Sequence, residues 1–183
     1  SQGVNILLNM FFGVVMNAAS GVAMQVQGVV LYFGRNLFDA ARPRIIKYYS
    51  NGEYDKMNLL INKSSQLTSL LLLLFSVPLI VEIDYVLSLW LSVVPNYASI
   101  FCWYILVFTI ITASFYPVTI GIHAIGKIKW MSIISGALYI LVIPFAYIAY
   151  RIGFPAEIAY TYNILAAFAA MFVNVAFFRK YAR

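Results

Sequence analysis

Arg35, Asp39 and Arg42 lie in a long apolar stretch, preceded by Asn17, Gly21, Gln25, Gly28 and Tyr32. The steps between these eight residues are all three or four, which places them on one face of a helix. A guanidinium offers forked donors suited to phosphate oxygens, so Arg35 and Arg42 are candidates for holding an anionic ligand. Asp39 follows Arg35 at i+4, where the two charges can partly neutralise each other. Two readings are open from the residues alone. In one, the arginines snorkel to headgroups, Asp39 pairs with Arg35, and the glycines admit a neighbouring helix. In the other, the face lines a polar cavity. Arg35 sits about 10 Å deeper than Arg42 at 1.5 Å per residue, and a side chain snorkels across only part of that depth.

A second polar face runs through Thr109, Thr112, Tyr116, Thr119 and His123, with Pro117 interrupting its hydrogen-bond ladder. His123 is read as a structural residue before a proton carrier, since membrane helices tolerate such groups near their ends. A third face, Tyr160, Asn163, Ala167, Ala170 and Asn174, reads as a packing seam of small and polar side chains. No HExxH, GxSxG, P-loop or CxxC motif occurs, and the carboxylates are not grouped as an acid/base pair. The single cysteine, Cys102, excludes an intrachain disulfide and offers no metal cluster. The expectation is a chain that is not an enzyme and needs no cofactor or metal.

The elements that position these residues follow from composition. The chain is 63% hydrophobic and 10% charged, with a mean hydropathy of +0.88, against about 25% charged residues in a soluble domain. Lipid satisfies no backbone hydrogen bond, and the apolar runs are continuous and not alternating, so an all-α polytopic helix bundle is expected, with about six spans in one unit. A first span covers about Val4 to Val15, which rises only about 20 Å against a hydrocarbon core of roughly 30 Å, so part of it is expected upstream; Ser1-Gln2-Gly3 does not resemble a signal peptide. The second covers about Asn17 to Ala41, with Pro43 helping to end it. A cytoplasmic loop is expected over about 42–58, with Asn51-Gly52 as a turn. The third span becomes fully apolar from Leu67 to Val81, and a segment over about 83–95 with Tyr85 and Trp90 reads as interfacial. The remaining spans cover about Tyr97 to Ile125, Trp130 to Tyr150 and Glu157 to Phe178, with Pro78 and Pro144 as expected kinks.

The net charge of +6 is distributed unevenly. Arg42, Arg44, Lys47, Lys56, Lys63, Lys127, Lys129, Arg179, Lys180 and Arg183 fall on one side of the bundle, whereas the other side carries Glu82, Asp84, Glu157 and only Arg151. This asymmetry makes the first side cytoplasmic, with the C-terminus, and accounts for the basic excess without nucleic acid.

The wording SQGVNILLNMFFG, NAASGVAMQVQG, RPRIIKYYSNGEYDKM, YVLSLWLSVVPNY and HAIGKIKWMSI resembles a bacterial polysaccharide biosynthesis family, the O-antigen flippases of the Wzx type, over nearly the whole chain. The order of these pieces resembles the C-terminal half of such a protein. The resemblance implies the multidrug, oligosaccharidyl-lipid and polysaccharide exporter fold, in which two six-helix lobes alternate access to a central cavity. This chain would be one lobe, and its partners would be the missing N-terminal lobe, membrane lipids and, at a distance, a glycan polymerase or glycosyltransferases. The implied substrate is undecaprenyl-pyrophosphate-linked oligosaccharide, moved across the bacterial inner membrane. Where the family is rich in Asn or Gln after NAASGVAMQVQG, this sequence has Arg35, Asp39, Arg42 and Arg44. The rival expectations are a drug or metabolite antiporter of the same superfamily, using Asp39 for its driving ion, and a non-transporting scaffold for glycan assembly.

Overall fold

The computed structural model describes residues 2–181 and is all α-helical. Eight helices are α1 (Gln2–Phe12), α2 (Val14–Ser50), α3 (Tyr54–Val81), α4 (Ile83–Trp90), α5 (Ala98–Ser114), α6 (Tyr116–Ile125), α7 (Ile128–Ile152) and α8 (Ile158–Tyr181). The chain is a multi-pass membrane protein: α2, α3, the α5–α6 pair, α7 and α8 make five elements long and apolar enough to cross a bilayer.

The first apolar run divides at Gly13, whose φ of 82° lies in the left-handed region that glycine enters without steric cost. There the chain folds back, so that α1 lies antiparallel against α2 and Ser20 donates to Asn5 Oδ1 at 2.7 Å. Val14 and Val15 therefore belong to α2 and not to the first span. With 11 residues, α1 rises only about 16 Å, too little to cross alone.

The loop expected over about 42–58 is mostly helix. Pro43 lies inside α2, which continues to Ser50, and only Asn51, Gly52 and Glu53 separate it from α3. Proline forfeits one bond, to the carbonyl of Asp39, but that residue and Arg42 to Arg44 are exposed, so the orphaned group is not sealed in apolar surroundings. At the turn, Lys56 pairs with Glu53, and Asn51 also donates to that carboxylate. These two bonds, Lys56 first, hold the Glu53 carboxyl below its ordinary range. Pro78 and Pro144 also sit within unbroken helices. The segment after Val81 forms α4, tied to the start of α5 by a hydrogen bond from Ser99 to Asp84.

The α2 helix is central, packing on α1, α3, α5 and α6, while α8 packs on α5, α6 and α7. Phe33 of α2 stacks on Phe75 of α3 with centroids 4.3 Å apart. Because lipid tails are as apolar as leucine, burial alone does not drive such packing; small side chains and interhelical hydrogen bonds do. Ala19, Ser20 and Ala23 of α2, Cys102 and Ala113 of α5, and Ala159, Ala167 and Ala170 of α8 are buried accordingly. At the basic end, a Cβ on Gly121 would stand 2.6 Å from Phe178 and 2.7 Å from Ile61, so three helices meet at that glycine.

Candidate functional site

The long α2 presents two faces of opposite character. Ala19, Ser20, Ala23, Val26, Val30, Phe38 and Ala41 are buried against the bundle, whereas Asn17, Gln25, Gly28, Tyr32, Arg35, Asp39 and Arg42 are exposed and Gly21 half-buried. The polar stripe read from the spacing is thus a continuous outward face. Small side chains hold the first face against the bundle, and the outward side carries the polar residues together with exposed Val14, Val15, Val29 and Phe33.

Towards its basic end this face meets α5 and α6 in a cleft of about 430 Å³, lined by Leu31, Arg35, Phe38, Asp39 and Arg42 of α2 with Thr112, Ala113 and Tyr116. Two groups of polar residues taken from separate spans therefore share one site. Tyr116 is placed by the break between α5 and α6. The helix stops at Ser114, Phe115 leaves helical geometry, and Pro117 in the first turn of α6 cannot donate to the preceding ladder. The offset lets Tyr116 accept a hydrogen bond from Arg42 Nη2 at 2.9 Å while its ring lies 4.7 Å from that of Phe38. Thr112 stands at the midpoint of the Ala98–Ile125 span, and sharing its cleft places Arg35 well inside the bundle's length.

Arg35 and Asp39 form no ion pair; among the described residues the only one is Lys56–Glu53. Both side chains instead line the cleft, and neither forms an ion pair among the described residues. Two guanidinium groups and one carboxylate leave the site with an excess positive charge, matched to an anion with several oxygens.

The other expected residues lie elsewhere. Asn17, Gln25 and Tyr32 share the outward face but do not line the cleft, and Tyr32 makes an edge contact with Phe33 at 6.1 Å. Thr119 lines a separate cavity of about 140 Å³ with Ser135, Tyr139 and Asn174, which Thr112 also borders. His123 is exposed at the end of α6 and lines neither. Thr109, although in the same sequence series, is buried and accepts from Gln27 at 2.9 Å.

A structural network that spacing did not reveal lies near the start of α2, away from the cleft. Tyr160 donates to Ser20 at 2.8 Å, and Ser20 donates to Asn5, joining α8, α2 and α1. Asn5 is flanked by apolar residues, Val4 before it and Ile6 to Leu8 after it, and isolation of that kind was the available signal. Among the described residues, no group of His, Cys, Asp or Glu has the clustering a metal ion needs. No protein-family model, curated protein or solved structure matches the chain.

Proposed function

We propose that this chain is one lobe of a membrane exporter that moves a lipid-linked oligosaccharide bearing a pyrophosphate, of the undecaprenyl type, out of the cytoplasmic leaflet of a bacterial inner membrane. The observation that carries the reading is the exposed charged face of α2 opening on the Arg35–Arg42–Tyr116 cleft. A charge left against acyl chains costs about 2.5–3.5 kcal/mol near mid-membrane, so such a face is matched to water, substrate or a second lobe. Arg35, whose guanidinium lines the cleft, would take phosphate oxygens in a fork. Arg42, oriented by Tyr116, would meet the adjoining phosphate. The likeness of the sequence to the O-antigen flippases adds support, as does the concentration of Lys and Arg at the end read as cytoplasmic. In this reading two lobes rock about the cavity, and each access state exposes the cleft to one leaflet.

The test is Arg35→Ala in the full-length protein, read as surface glycan against protein abundance in the membrane. Export should fall by tenfold or more at unchanged abundance; normal export would remove Arg35 from substrate recognition. Asp39, unpaired in the same cleft, supports a second reading, an ion-coupled antiporter. That reading requires Asp39→Asn to abolish ion-driven efflux from vesicles. A scaffold for glycan assembly would tolerate both substitutions in transport and lose co-purification with its glycosyltransferases.

A further inference from the structure

The α7–α8 hairpin carries a cluster of cations at one end and an apolar groove further along. At its basic end Lys127 Nζ lies 5.8 Å from the ring centroid of Tyr181, and Lys180 Nζ lies 5.5 Å from the same ring. Two ammonium groups thus share one aromatic ring. Lys129 stands 5.8 Å from the Trp130 ring, and Arg179 adds a further cation at the end of α8. Among the described residues none of these cations forms an ion pair, and from Tyr85 onward the sequence contains a single acidic residue, Glu157, at the opposite end of α8. The first turn of α7 has no side-chain cap and no acidic residue, so its free N–H groups add to the same demand for negative charge.

Deeper along the same two helices runs an apolar groove of about 350 Å³, lined on α7 by Leu138, Leu141 and Phe145 and on α8 by Tyr162, Leu165 and Ala169. Leu141 follows Trp130, and Lys180 follows Ala169, by eleven residues in each case. Eleven residues make three turns, so the near end of the groove lies on the helix face that carries Trp130 and Lys180, about 16 Å further into the bilayer, and its far end at Phe145 and Tyr162 about 22–27 Å in. The near end, at Leu138 and Ala169, is thus at about half the roughly 30 Å hydrocarbon core, the depth that the last carbons of one leaflet's acyl chain reach.

We infer that this hairpin binds an anionic phospholipid whose headgroup carries two phosphates, with Lys127 and Lys180 on the phosphates and an acyl chain in the groove. Trp130, 62% exposed, and Tyr181 set the headgroup level. Clustered lysines next to membrane helices recognise such headgroups by charge, and the aligned groove adds a place for the tail that a free phosphate would not use.

The experiment is lipid titration of the detergent-solubilised full chain by native mass spectrometry, comparing diphosphatidylglycerol with phosphatidylcholine. The parent should bind the diphosphate lipid more tightly. Lys127→Gln with Lys180→Gln should weaken it about fivefold per lysine, the equivalent of about 1 kcal/mol for each cation at an anionic surface, and leave phosphatidylcholine unchanged. Lys127→Arg with Lys180→Arg should keep the preference, which separates loss of charge from loss of fold. Ala169→Trp, filling the groove, should weaken binding of the diphosphate lipid while inorganic pyrophosphate fails to compete. Equal affinity for the two lipids in the parent, or undiminished binding by the double Gln variant, would overturn the site. Competition by pyrophosphate alone would overturn the tail groove, as would an Ala169→Trp effect confined to self-association.

Discussion

Arg42 donates to the Tyr116 hydroxyl at 2.9 Å across 74 residues of sequence, joining the exposed face of α2 to the first residue of α6. Both partners are polar groups that the sequence placed on separate helices, and the break after Ser114 allows them to meet. The contact fixes one guanidinium of the cleft and leaves Arg35 unengaged.

Tyr116→Phe removes that acceptor and keeps the ring against Phe38. Because the hydrogen bond is exposed, stability should change by less than about 1 kcal/mol. Export should nevertheless fall several-fold, since Arg42 loses its orientation. Parallel measurements of export and thermal unfolding distinguish the two; an equal loss in both would make Tyr116 a structural residue only.

Cysteine reactivity tests whether the cleft is wet. Native Cys102 is fully buried and should stay unmodified by a charged, membrane-impermeant thiol reagent. Thr112→Cys, placed in the cleft wall, should react readily, and pyrophosphate should slow the reaction in the parent background but not with Arg35→Ala. Silence at position 112 would mean that acyl chains or protein fill the space.

The chain of hydrogen bonds through Tyr160, Ser20 and Asn5 should contribute to helix association. Membrane hydrogen bonds of this kind average about 0.6 kcal/mol and reach about 1.7 kcal/mol. Tyr160→Phe should lower stability within that range in a steric-trapping or denaturant assay, leaving the cleft unaltered because Tyr160 does not line it. A larger loss would point to repacking of the rings around Phe101, whose centroid is 4.7 Å from that of Tyr160.

Gly121 and Gly28 form a contrasting pair. A Cβ at Gly121 meets Phe178 and Ile61 within 2.7 Å, so Gly121→Ala should cost about 1–3 kcal/mol and reduce abundance. A Cβ at Gly28 meets nothing, and Gly28→Ala should be tolerated in the isolated chain. If Gly28→Ala instead blocked export at normal abundance, that position would belong to a surface covered by a second lobe.

The bundle was legible from composition and apolar runs because a bilayer permits few ways to satisfy a backbone. The orientation of α2 was legible as well, since its eight polar positions keep the helical period over most of its length. Pro43 misled because proline predicts a helix end by its local cost, and an exposed Asp39 carbonyl lowers that cost here. The Arg35–Asp39 pair misled for a related reason: spacing brings two side chains within reach but does not choose their rotamers. Tyr116 could not be assigned to the cleft from its own span, because its position depends on how α6 is offset from α5. Gln27 and Thr109 were hidden because each is ordinary in its own helix and acquires meaning only from the other.

The interruption at Phe115 also constrains where moisture must reside. Ending α5 at Ser114 takes the carbonyls of its last turn out of the regular ladder: Ala113 accepts from Phe115 in place of Pro117, which has no N–H to give. In hydrocarbon a carbonyl that lost such a contact would cost several kcal/mol, so a source of donors beside the bend stabilises it. The cleft beside Thr112 and Ala113 is positioned to admit such a source. Plugging that opening with a bulky aliphatic group at Ala113 would therefore do more than obstruct a ligand: it would dehydrate the bend and push the two half-helices toward one straight rod.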